Sequence, residues 1–217
     1  MKNIALLIPT LDRPKELNRL STSIEKAMTW LAVDELVQVF ISREVAPRPL
    51  PVIVNELVAN AMEIESLDGV VILADHLVLG CLCLREVFTF FGDNIDTDIM
   101  GGLNIANLPF NPNISEFCFP VIGRKFIERF PEYQVFCPEY HHFCADTELG
   151  IFAKRIGKFK FLRDARVETY HPNVGNAPKD NTYWASRKNS QEDQRIFTAR
   201  KTAGFLWGDN FERIGES

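Results

Sequence analysis

The chain has 217 residues, 46% of them hydrophobic and 24% charged, the make-up of a globular domain large enough to bury its own core. Its net charge of −5 and pI near 5.5 remove the global electrostatic case for a nucleic-acid binder. Five cysteines at irregular spacing do not form a disulfide framework, and no apolar stretch reaches the ~20 residues that span a bilayer. Residues 1–9 do not have the layout of a signal peptide, so the expectation is a cytoplasmic chain with reduced thiols and no membrane insertion.

Asn3 to Ile8 reads as a strand, and Pro9-Thr10-Leu11-Asp12-Arg13-Pro14 as the turn into a helix, with Asp12 as N-cap and Pro14 in the first turn. Leu17, Leu20, Ile24, Ala27 and Leu31 recur at helical steps and form one apolar face. Leu36 to Ile41 is a second strand, which completes a βαβ unit and opens a parallel sheet. Pro47, Pro49 and Pro51 mark a loop, followed by a helix from Asn55 to Glu65 and a turn at Asp68-Gly69. Val70 to Leu73 is an apolar, β-branched run suited to a strand buried on both faces.

Leu79 to Phe91 has helical length and ends at Gly92-Asp93-Asn94. Strands are expected at Ile99–Leu103 and Phe117–Ile122, with a loop over residues 104–115 and a short helix at Gly123–Phe130. Pro131 to Cys144 is irregular, and Asp146 to Ile156 is a helix with Leu149, Phe152, Ala153 and Ile156 on one face. Two strands follow, Phe159–Leu162 and Ala165–Tyr170, ending at His171-Pro172. Beyond them the chain reads as polar and loop-like, anchored by Trp184, Phe205, Leu206 and Trp207.

The apolar run at residues 70–73 ends abruptly in Ala74-Asp75-His76. An acid at the carboxyl end of a doubly buried strand sits where open α/β sheets bind ligands. A carboxylate and an imidazole there suit a divalent cation and a phosphorylated ligand, although Asp75 reads equally well as a helix N-cap. Asp146 opens a helix, whose dipole stabilises its anion, and Asp146-Thr147-Glu148 is also a good capping sequence. Tyr133, Phe136, Tyr140, His141, His142 and Phe143 precede it and suit either ring stacking or core anchoring. His141 and His142 are adjacent on an extended chain, point opposite ways, and are not assigned as ligands. Arg187, Lys188, Arg195, Arg200 and Lys201 are candidates for capping phosphates or for a solvated helix face.

Four motifs together carry a family resemblance: residues 8–14, Leu73-Ala74-Asp75-His76, Ala145-Asp146-Thr147-Glu148-Leu149 and Tyr170-His171-Pro172. In their order and spacing the chain resembles GT-A fold glycosyltransferases of the family 2 type, which includes many small bacterial and phage enzymes. The resemblance implies a single α/β domain over residues 1–217, with a mixed, mostly parallel central sheet and helices on both faces. Residues 1–103 would form the nucleotide-sugar half, 104–175 the acceptor and catalytic half, and 176–217 a C-terminal extension. It places Pro9, Thr10, Arg13 and Asp75 on the nucleotide-sugar donor. Asp75, His171 and His76 would hold Mn²⁺ or Mg²⁺, with Mn²⁺ favoured by the imidazoles. Asp146 would be the general base of an inverting transfer, with Glu148 orienting it or binding the acceptor. Such enzymes usually carry two acids after the fourth strand, whereas Ala74-Asp75-His76 offers one.

The leading expectation is therefore transfer of a sugar, from a UDP-sugar by family frequency, to a hydroxyl acceptor. The acceptor is a glycan or, in an alternative reading, a hydroxymethylated base in DNA. A second alternative is a non-catalytic module that binds sugar nucleotides or glycans. A nucleotidyltransferase is disfavoured because no Gly-rich phosphate loop follows the first strand.

Overall fold

The computed structural model describes residues 2–11, 13–44, 48–108 and 116–204. Strand β1 (Lys2–Thr10) lies inside the sheet, and its residues from Asn3 to Ile8 are all buried. It pairs in parallel with β2 (Glu35–Arg43) and β3 (Gly69–Ile72), so that Leu6 stands beside Val39 on one side and Val71 on the other. A strand so placed has no solvent face, which is why its sequence is continuously apolar rather than alternating.

Alternation reappears in three dimensions. Ala5, Leu7, Val70 and Ile72 join one core, and Ile4, Leu6, Ile8, Val71 and Leu73 join the other. Helix α1 (Pro14–Met28) covers the second core with Leu17, Leu20, Ile24 and Ala27, beside Val87, Phe88 and Phe91 of α3 (Cys83–Asp93). Helices α2 (Leu50–Met62), α4 (Arg124–Ile127) and α5 (Ala145–Arg155) cover the first. The expected arrangement, a sheet with helices on both faces, is the one found.

Beyond β3 the sheet continues through β6 (Pro120–Gly123), β5 (Met100–Ile105), β7 (Phe159–Thr169) and β4 (Leu77–Leu79), in the order β2-β1-β3-β6-β5-β7-β4. It is a mixed sheet: β5 and β7 run parallel, while β6 is antiparallel to β3 and β5, and β4 to β7. The strands expected at 159–162 and 165–170 are one strand, β7, with a bulge where its pairing with β5 jumps between Leu103 and Asn104. Gly102 permits the close approach of the next segment, since a Cβ there would collide with the carbonyl oxygen of Glu116.

Several boundaries differ from the sequence reading for physical reasons. Helix α2 begins at Leu50 rather than Asn55, because Pro51 falls in its first turn, where proline is tolerated. Leu77–Leu79 forms a strand too short to announce itself, so the helix expected from Leu79 begins at Cys83. The tail is helical where a loop was expected, in α6 (Asn181–Lys188) and α7 (Ser190–Thr202). Trp184 is 56% exposed and anchors nothing. The expected N-cap Asp12 and the expected anchors Phe205, Leu206 and Trp207 lie outside the described residues. All five cysteines are free thiols. No helix among the described residues is long and apolar enough to cross a membrane.

Candidate active site

The carboxyl ends of β1 and β3 and the amino end of α5 converge on one cavity of about 960 Å³. Pro9, Thr10, Arg13, Asp75, His76, Asp146 and His171 all line it. Of the residues assigned to the site from sequence, Glu148 alone is not among its lining residues.

Asp75 is the buried centre of a polar cluster in this cavity. It follows the end of β3 by three residues and is only 1% exposed. The Thr10 hydroxyl donates to its Oδ2 at 2.5 Å, and Arg13 Nε donates to the same oxygen at 3.0 Å. Arg13 Nη2 donates to Oδ1, which completes a two-pronged guanidinium–carboxylate pair. Burial alone would raise this carboxyl's pKa, but the contact with His76, the Arg13 charge and the Thr10 hydroxyl outweigh it and hold the pKa below the ordinary value. The helix-cap reading of Asp75 is not realised: its oxygens serve side chains from β1 and from the start of α1.

His76 and His171 meet because β4 and β7 are antiparallel neighbours. Leu77 pairs with Thr169, and the Tyr170 amide donates to the His76 carbonyl at 2.8 Å. Their rings lie 5.3 Å apart, and His76 Nδ1 lies 3.7 Å from Asp75 Oδ1. The structure thus brings Asp75, His76 and His171 close together. Burial, followed by the charges of His76, Arg187 and Arg13, pushes the His171 pKa down to about 4.

The donor set does not fit a divalent cation in this arrangement. Both Asp75 oxygens are engaged by Arg13 and Thr10. The Asn173 amide donates to His171 Nδ1 at 3.1 Å, so the proton of the neutral ring sits on Nε2 and that nitrogen has no lone pair to give. Among the described residues no group of three His, Cys, Asp or Glu side chains is placed to hold a metal.

Asp146 occupies the opposite wall, in the first turn of α5. The Thr147 amide donates to its Oδ1 at 2.7 Å and the Thr147 hydroxyl at 3.3 Å. Burial raises its pKa above the usual carboxylate value, and the hydrogen bonds from Thr147 and Cys118 only partly offset this. Asp146 is thus a carboxyl of raised pKa among the cavity's lining residues. Two residues beside it, Phe119 (φ 55°) and Cys144 (φ 73°), adopt left-handed backbone conformations that side chains other than glycine rarely take. Both line the cavity.

Glu148 has a structural place. The Tyr140 hydroxyl donates to it at 2.6 Å, and Arg200 of α7 grips both its oxygens, with Nη2 at 2.7 Å and Nε at 2.9 Å. Glu148, expected to orient Asp146 or to bind the acceptor, thus has both oxygens engaged by Tyr140 and Arg200. Arg200 is correspondingly removed from the phosphate candidates, and Arg195 pairs on the surface with Glu192. Arg187 and Lys201 do line the cavity.

Sequence reasoning missed Asp193. This residue of α7 is 0% exposed and receives the amides of His141, His142 and Phe143 at 2.8, 3.0 and 2.8 Å. It fixes the loop that leads into Asp146, from about 50 residues along the chain, and no local pattern announces such a bond.

No protein-family model matches this chain, and comparison with curated proteins finds no relative. Its fold, however, is shared with solved glycosyltransferases. A complex of Drosophila β1,4-galactosyltransferase 7 with manganese, UDP-Gal and xylobiose superposes with a TM-score of 0.57 at 11% identity, covering 86% of this chain and 80% of that one. A glycosyltransferase involved in glycosylating the major capsid of PBCV-1 superposes with a TM-score of 0.52 at 13% identity, covering 76% and 91%. The α/β architecture is thus the one expected from the resemblance.

Proposed function

We propose that this protein is a glycosyltransferase that moves a sugar from a nucleotide-sugar donor to a hydroxyl acceptor. The observation that carries the reading is the meeting of two kinds of group in one cavity. Thr10, Arg13 and Asp75 stand at strand ends on one side, and the base-like Asp146 stands at a helix start on the other. Strand ends at a sheet edge are where such folds receive nucleotides, and the Drosophila neighbour was solved with UDP-Gal. UDP-sugars are accordingly the first donors to test.

On this reading the donor lies along residues 9–13 and 75–76, with its diphosphate toward Arg13 and Arg187. The acceptor hydroxyl enters beside Asp146, which takes its proton as the oxygen attacks the anomeric carbon. The bond from that carbon to the diphosphate breaks on the opposite face, and the anomeric configuration inverts. The positive charge of Arg187 in the cavity lining stabilises the negative charge that builds on the departing diphosphate.

The test is a donor panel with slow hydrolysis as the readout. The expected outcome is release of nucleoside diphosphate from one donor, and loss of that release in Asp146→Asn with nucleotide binding retained. Binding without release in any condition, unaltered by Asp146→Asn, would favour the non-catalytic module instead.

A further inference from the structure

We propose that the donor's diphosphate is met by the remaining N–H groups of Arg13, held in place by Asp75, and by the positive charge of Arg187, and that no divalent cation occupies this position. The inference rests on the nucleotide-sugar reading of the cavity.

The first argument is occupancy. A cation on Asp75 must displace a guanidinium that bonds both carboxylate oxygens and a hydroxyl that bonds one of them. The carboxylate is nearly sealed from water, at 1% exposure, so the exchange would break buried charge-assisted bonds without solvent to replace them. The second is ligand count. A hard divalent cation takes about six donors, and in phosphate sites one or two carboxylates with free oxygens hold it while water and phosphate complete the shell. Asp75 is already neutralised by Arg13, His76 is a lone imidazole beside it, and His171 spends its accepting nitrogen on the Asn173 amide.

The third is the geometry of Arg13 itself. Its Nε and Nη2 are spent on Asp75, but Nη1 lies 4.0 Å from Asp180, at the limit of an ion pair, and the side chain is 24% exposed on the cavity wall. A guanidinium oriented by one anion and presenting its remaining N–H groups to a cavity is a preorganised anion receptor. Arg187 adds uncompensated charge. Its guanidinium lies over the rings of Phe143, at 5.5 Å, and Tyr183, at 5.4 Å, and no carboxylate among the described residues pairs with it.

The test is calorimetric titration of UDP, GDP, CDP and dTDP into the full-length protein, once with EDTA and once with MnCl₂. Electron paramagnetic resonance of Mn²⁺ mixed with nucleotide-free protein is read alongside. One nucleotide should bind with the same affinity, within about twofold, in both buffers, and the Mn²⁺ signal should remain that of the free ion. Arg187→Ala, at an exposed position, should weaken that binding about tenfold in both buffers. Arg13→Ala, if circular dichroism shows it folded, should do the same. Binding that EDTA weakens by more than about tenfold, together with a bound Mn²⁺ signal lost in Asp75→Asn, would overturn the proposal while leaving the nucleotide-sugar reading in place. Failure of every nucleotide in both buffers would overturn that reading and this inference with it. An Arg187→Ala protein that binds as the parent does would also refute the charge assignment.

Discussion

At the scale of single residues, Asp146 carries a conflict between folding and chemistry. Its pKa stands above the ordinary carboxylate value, so the folded chain holds this proton more tightly than the unfolded chain. Its contribution to stability is complete below about pH 4 and is lost as pH rises through the raised folded value. Near neutrality the ionised side chain is a destabilising element. Asp146→Asn should therefore melt at the same or a higher temperature while turnover falls about 100-fold or more. Turnover of the parent should rise with pH through the raised pKa, and a profile flat across the acid range would remove Asp146 as the base. Glu148 should behave in the opposite way. Replacing it with Gln weakens a buried pair with Arg200, whose two side chains are 7% and 11% exposed. A loss of about 3 kcal/mol in chemical denaturation is expected, with nucleotide affinity little changed. A variant of undiminished stability that has lost turnover would return Glu148 to the catalytic group.

Among elements, the contrast between α1 and α7 explains what was legible from sequence. Helix α1 places Leu17, Leu20, Ile24 and Ala27 on the core, so its periodicity is printed in the chain. Helix α7 has one fully buried residue among those described, and it is an aspartate. A helix held by polar bonds and by only the adjacent Ile196 and Phe197 against the core has no repeating hydrophobic stripe, and its segment read as loop. The same difference divides the site. Asp75 and Asp146 were visible because they interrupt or open regular elements. Arg13 and Arg200 were named as anion-binding candidates, but their bonds to Asp75 and Glu148 were not legible, and Asp193 was missed altogether, since a bond spanning 50 or 60 residues has no local signature. The role of α7 is measurable. Asp193→Ala leaves three loop amides without their acceptor, at a cost of about 3 kcal/mol. It should also lower kcat more than it raises the donor KM, because the loop it releases leads to Asp146 and not to the donor side. Equal effects on both parameters would mean that α7 supports the fold without positioning the base.

For the molecule as a whole, the two cores are opposite faces of one sheet, and alternate residues of β1 and β3 belong to each. Neither face can melt and leave the other intact. Leu7→Ala, on one face, and Leu20→Ala, on the other, are both at fully buried positions and should each cost about 3 kcal/mol. Both should shift a single transition rather than split it, with near- and far-ultraviolet circular dichroism superimposable. A biphasic melt in either variant would show that the two layers are independent. The clamp formed by α7 also sets a timetable. Domains take shape from their N-termini as the chain is synthesised, so the carboxyl ends of β1 and β3 exist well before residues 193 and 200 emerge. Until those two side chains arrive, the segment from His141 to Glu148 lacks the anchors that hold it. On the proposed reading, a nascent chain would form the walls that receive a donor first and fix the segment around Asp146 last, only once α7 has emerged.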